Sequence, residues 1–359
     1  MADRYWILGT GTWDSTSTTN WSASSGGAGG ASVPTAADNV FFDANSNVLA
    51  TAFTVTMATS PRVCNDFTAS GLDGAMTLTG AGIGLTVSGS LFFPATNFTR
   101  SYSAVTTFNA TTTGKTVTVN GIGFQGITFN GAGGGWTLQD ALNAGNTCTL
   151  SAGTLDLNGK TLTCPVRFLT GTGTKNLIFN GATLICSGTN TTSFNNSIPT
   201  GFTTTAGTGT GTISMTGATA KTFVGGGSTF NCTLNQGGAG TLNITGGSTF
   251  SNITNTRKSV SAASILFTAG TTNTFADWNA SGESTRLLTI GSVTAASHTL
   301  SKASGTVSAD FLSVSRSSAT GGAGWYAGAN STDGGNNSGW IFTAPPAPSG
   351  SNSNFLMFF

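Results

Sequence analysis

The chain carries one histidine, His298, and 12 carboxylates in 359 residues, so the chemistry open to it is narrow. A single imidazole excludes metal sites built on several histidines. A Ser-His-Asp triad would want a serine at a strained elbow, and no Gly-x-Ser-x-Gly surrounds any serine. His298, in Ala-Ser-His-Thr-Leu, therefore reads as a surface imidazole, solvated or held by one hydrogen bond. Cleavage of a polysaccharide by two acids needs carboxylates roughly 5–10 Å apart in a groove. Two pairs qualify by position: Asp140 with Asp156, and Asp277 with Glu283, the second with Arg286 close by as a lyase would want. Asp14, Asp38, Asp43 and Asp333 sit near the chain ends in turn-like settings. Corner and capping roles are the simpler assignment for all of these acids. They become catalytic candidates only if the fold sets two of them face to face.

The five cysteines, Cys64, Cys148, Cys164, Cys186 and Cys232, form no C-x-x-C. They fall in strand-like runs such as Leu184-Ile-Cys186, where they read as small buried hydrophobes rather than disulfides or metal ligands. Unpaired thiols suit a chain folded in cytoplasm. The start Met-Ala-Asp-Arg-Tyr-Trp shows no apolar signal segment, and no stretch is long enough to span a bilayer. With 13 Lys+Arg against 12 Asp+Glu, a net charge of +1, and no basic run longer than Arg257-Lys258, the chain lacks the stripe that phosphate binding needs. Nucleic acid is excluded as a partner, and no motif calls for a cofactor. Thr-x-Thr runs such as Thr116-Val-Thr118 and Thr203-Thr-Thr205 suggest a hydroxyl face of the ice-binding or adhesin kind. Thr is also the favoured exposed residue of a strand.

What must position these residues is β-structure. Charged residues are 7% of the chain and Gly contributes 52, yet 24 Phe are spread along its length, which disordered chains lack. No amphipathic run repeats at 3.6 residues. Short alternating runs are frequent, Phe53-Thr-Val-Thr-Met57, Lys115-Thr-Val-Thr-Val119, Thr154-Leu-Asp-Leu157 and Asn176-Leu-Ile-Phe179, and the last three are closed by Asn-Gly. Gly226-Gly-Ser-Thr-Phe-Asn-Cys-Thr-Leu-Asn235 is echoed by Gly246-Gly-Ser-Thr-Phe-Ser-Asn-Ile-Thr-Asn255, an offset of 20 residues. That period is one coil of a parallel β-helix, in which each coil stacks on the last and like residues form ladders. Phe230 and Phe250 are then expected inside, stacked in adjacent coils, with Asn and Gly at the corners. A string of β-sandwiches is the competing fold, and the echo favours the solenoid.

The expected architecture is all-β, a single-stranded right-handed parallel β-helix; the hand is expected by analogy with other β-helices. Residues 1–45 form an N-terminal cap, 46–317 about a dozen coils and 318–343 a C-terminal cap. Trp6, Trp13 and Trp21 at one end, and Trp325 and Trp340 at the other, are read as cap residues, because solenoid ends must be covered. Residues 344–359 are a Pro/Ser/Gly/Asn linker and an apolar tip, Phe355-Leu356-Met357-Phe358-Phe359. The tip is too short to cross a membrane and too apolar to be left in water, so it reads as a docking element.

Two end segments resemble a known style of protein. One runs from Tyr5-Trp-Ile-Leu-Gly-Thr-Gly-Thr-Trp13 through Asn20-Trp-Ser and Val33-Pro to Ala37-Asp-Asn-Val-Phe-Phe-Asp43. The other runs from Leu300-Ser-Lys-Ala-Ser-Gly-Thr-Val-Ser308 through Ala319-Thr-Gly-Gly-Ala-Gly-Trp-Tyr-Ala327 to Asn336-Asn-Ser-Gly-Trp-Ile-Phe342. Both resemble the ends of Gly/Thr-rich β-helix-like structural proteins of tailed phages, related in style to bacterial surface β-solenoids. The resemblance implies a non-enzymatic virion protein, a fibre, spike or capsid-decorating protein, made in the host cytoplasm and displayed on the particle. It implies partners among other virion proteins or copies of itself, as in trimeric fibres, and a host surface glycan as an outside ligand. It carries over no catalytic residue. The alternatives are a polysaccharide-degrading tailspike and a secreted adhesin or ice-binding protein.

Overall fold

Residues 1–188 and 192–346 are described by the computed structural model. They form a β-solenoid of about 13 turns. Among the described residues helix is confined to three short 3-10 segments, Thr18–Asn20, Ala44–Ser46 and Arg257–Ser259. Strands alternate inward and outward residues, as in Phe53–Met57 and Ala263–Phe267, because side chains of an extended chain point to opposite faces in turn. Each full coil threads up to three short strands, which stack in parallel into three faces. The first face begins with Asp3–Trp6, Asn39–Phe42, Phe67–Ala69 and Leu91–Phe92. The second begins with Gly11–Trp13, Phe53–Met57, Met76–Thr79 and Phe98–Arg100. The third begins with Arg62–Cys64, Leu85–Val87, Thr106–Phe108 and the start of Ile127–Leu138.

The 20-residue echo is one coil. Phe230 stands in register with Phe250, and their rings stack with centroids 5.3 Å apart and planes 12° apart, both buried. Other coils differ in length: Trp136 is in register with Leu155, but Phe194 is in register with Phe223. Extra residues leave the ladder at corners, so the stacking holds while the offset between paired residues ranges from 15 at Trp325–Trp340 to 44 at Gly11–Val55. Aromatic ladders run through the core, such as Phe168–Phe194–Phe223 with centroid steps of 5.4 and 4.4 Å.

Corners follow the expected chemistry. At Asn158-Gly159 both residues are left-handed (φ +50° and +71°), a conformation that Asn tolerates and Gly takes freely. The Asn158 side chain donates back one coil to the Leu138 carbonyl (3.0 Å), and Asn120 and Asn180 reach back in the same way to the Phe93 carbonyl and the Asp156 carboxylate (2.8 and 2.9 Å).

Both ends are closed by tryptophan clusters. Trp6, Trp13 and Trp21 are fully buried edge-to-face around Phe42. Trp21–Ser22 lies antiparallel on Asp3–Trp6, covering the hydrogen-bonding edge that a first coil would otherwise expose. At the far end Trp325 and Trp340 pack edge-to-face (5.1 Å), joined by Trp278 at 5.6 Å from Trp325.

Candidate functional site

The acids are placed by corners, and each has its own work. Asp140 accepts the N–H groups of Val119 and Asn120, one coil back. Asp156 stands in register with Thr137 rather than with Asp140, and accepts from the Asn158 N–H (2.7 Å) and the Asn180 side chain (2.9 Å). The second candidate pair divides into two ion pairs. Asp277 accepts from the Trp278 N–H (2.9 Å) and lies 3.8 Å from the Lys302 ammonium. Glu283 pairs with Arg286 at 3.1 Å, and both side chains are more than a third exposed. An exposed pair of this kind adds under about 1 kcal/mol. Neither pair is tied together by a shared hydrogen bond or cation, so each acid holds a corner or a neighbouring chain segment.

His298 differs from its expectation. It is completely buried, not at the surface. The residue opens the strand His298–Ser301 in the same inward phase as Leu300, so alternation carries the ring inside. There it stacks on Phe267 with centroids 4.8 Å apart, and its Nδ1 shares a 2.8 Å hydrogen bond with the Ser292 hydroxyl. Its Nε2 has no partner. Burial pushes its pKa down to about 4, which makes the imidazole a weak base, and the nitrogen that a triad would aim at a carboxylate meets none. The Ser292–His298 contact thus has the geometry of a hydrogen bond within the core and lacks the rest of a nucleophilic site.

The thiols are free and buried. Cys164 is in register with Cys186. Burial holds the thiols of Cys64, Cys164, Cys186 and Cys232 well above their ordinary range, which removes the thiolate that reactivity needs. Among the described residues no three His, Cys, Asp or Glu side chains gather as a metal-holding group.

The outer surface is built of ladders of hydroxyl and amide side chains. The Thr-x-Thr runs visible in sequence are not its most regular part. Thr116 continues to Thr137 but then meets Asp156 and Ile178, while Thr203 and Thr205 both donate to the Asn176 side chain (3.1 and 3.2 Å). Two hydroxyl surfaces are regular and two residues wide: one on the second face near the N-terminus, where Thr12, Thr56 and Thr79 stand in register beside Thr54, Thr77 and Thr99, and one toward the C-terminus, where Thr274, Ser301 and Thr320 stand beside Thr272, Thr299 and Ser318. The apolar tip Phe355–Phe359 lies outside the described residues. Compared with protein-family models, with curated proteins and with solved structures, the chain finds no match.

Proposed function

We propose that this chain is a non-enzymatic structural rod on the outside of a particle, of the fibre, spike or decorating type found on tailed-phage virions. The observation that carries the reading is the use of the acids: Asp140, Asp156, Asp277 and Glu283 each serve a corner or an ion pair. The stacked aromatic core and the tryptophan-closed ends support it, since they suit a stiff element that keeps its shape and does not aggregate end to end. The terminal Phe355–Phe359 segment is assigned as the anchor to other virion proteins or to copies of this chain. A host surface glycan is the outside ligand that such a rod would meet.

Incubation with purified host capsule or lipopolysaccharide tests the reading. The saccharide chains are expected to keep their length. Shortened chains that are lost again with Asp277→Asn or Glu283→Gln would establish the tailspike reading instead. Deletion of residues 355–359 is expected to leave the far-UV spectrum of the β-rod unchanged and to abolish incorporation into particles. Normal occupancy of the truncated protein would remove the anchor assignment.

A further inference from the structure

The second face of the first four coils has a regularity that a structural rod does not require. Two columns stand side by side, Thr12–Thr56–Thr79 and Thr54–Thr77–Thr99, each in strict register. Thr10 extends the second column, its Oγ1 accepting from the Thr54 N–H (3.1 Å). Ser101 extends the first, its N–H donating to the Leu78 carbonyl (2.8 Å). Four rungs by two columns therefore carry a hydroxyl at every position. The residues between point inward: Val55 and Leu78 are buried, and Arg100 turns its guanidinium over the Tyr102 ring toward backbone carbonyls, so no charge stands on the array.

Outward strand positions favour Thr in any case. That preference explains neither the unbroken pairing nor the state of the hydroxyls. On the third face the column Thr86–Thr107–Thr128–Thr149 is one residue wide and runs next into Leu169. A second array on the C-terminal coils, the column Thr229–Thr249–Thr274–Ser301–Thr320 beside Thr272–Thr299–Ser318, is two residues wide over only three rungs, takes serine at Ser301 and Ser318, and uses its Thr320 hydroxyl on the Leu300 carbonyl (3.1 Å). In the N-terminal array only the Thr10 hydroxyl engages a protein group, and the other seven are free. Rungs repeat at about 4.8 Å and alternate residues along a strand at about 6.7 Å. β-Branched side chains are stiff at χ1, so methyls and hydroxyls are held on that grid. Liquid water has no such two-dimensional repeat; the oxygen lattice of ice has one of closely similar dimensions.

We propose that this array is an ice-binding face, which anchors a sheet of ordered water that continues into the ice lattice. It goes beyond the structural reading and rests on the array alone. The test is ice recrystallisation in the presence of the full chain at micromolar concentration, with shaping of single ice crystals as a second readout. The chain is expected to slow grain growth and facet the crystals. Thr77→Tyr in the middle of the array is expected to reduce the effect by about tenfold, and Thr79→Lys to do the same, with unchanged far-UV spectra. Thr128→Tyr, on the single column of the third face, is expected to leave it intact. Unaffected grain growth in the parent chain overturns the proposal, as does equal loss in Thr77→Tyr and Thr128→Tyr. Retention on crystalline polysaccharide without any effect on ice overturns it in favour of a glycan-binding face.

Discussion

Replacing Phe230 with Ala is expected to lower the stability of the rod by about 3–5 kcal/mol. The ring is fully buried and lies 5.0 Å from the Phe223 ring, 5.3 Å from Phe250, 5.7 Å from Phe194 and 5.8 Å from Phe202. Truncation removes the transfer free energy of the ring and leaves a hole that the neighbours fill poorly, because each is fixed by hydrogen-bonded rungs on both sides. Coils contact chiefly their neighbours, so the loss is expected to be local as well as global. Hydrogen exchange of the amides in Thr229–Gln236 and Thr249–Asn255 is expected to accelerate before that of Asn39–Phe42. Urea denaturation checks the size of the effect against Thr128→Ala, an outward change expected to stay within about 0.5 kcal/mol. A loss for Phe230→Ala no larger than that of the control would contradict a stacked interior at this coil.

Acid is expected to cost the fold about 3 kcal/mol between pH 6.5 and pH 4 through His298 alone. The buried imidazole titrates at about 4 in the fold, against an ordinary value of 6.5, and the cause is its removal from water beside Phe267. As pH falls, the unfolded chain takes up the proton first. The stability linked to this group is therefore present above pH 6.5 and is lost as pH falls toward 4. Asp14 acts below that window, because hydrogen bonds from Ser17 and Thr16 hold its carboxyl down to about 2. Unfolding curves at pH 7.5 and 4.5 for the parent chain and for His298→Asn separate the contribution. The parent is expected to weaken by about 3 kcal/mol and the variant far less; an equal drop in both would show that the ring is not held neutral.

The interior of the rod was largely legible in the sequence where two coils have equal length. The Phe230/Phe250 echo places both rings correctly, but just beyond them the register slips by one residue, so that Thr233 meets Asn252 and Gln236, not Asn235, meets Asn255. The Asn-Gly corners were legible for the same local reason: the left-handed turn is a property of two residues. Longer coils hide their register, since the added residues lie at corners and no pattern marks where the next strand resumes. This is why the hydroxyl array was missed: Thr10-Gly-Thr12, Thr54-Val-Thr56 and Thr77-Leu-Thr79 become neighbours only once those coil lengths are known. Trp278 was missed as an end residue because its packing on Trp325 and Trp340 depends on the coils between them. The inward phase of His298 follows from Leu300 two residues on, because alternation along the strand outweighs the polarity of one imidazole. The partners of the acids were only partly legible: Asp156 accepts from the nearby Asn158 N–H, but Asp140 accepts from Val119 and Asn120 one coil back, which no local pattern marks.

Imaging of purified particles tests the structural reading most directly, with a peptide tag at the exposed Val48–Leu49 loop to mark the chain. The account predicts that the tag is found on the particle exterior at the end of a slender rod of about 60 Å, the length of about 13 stacked turns. A tag recovered only in the soluble fraction, with particles that assemble fully without the chain, would contradict it.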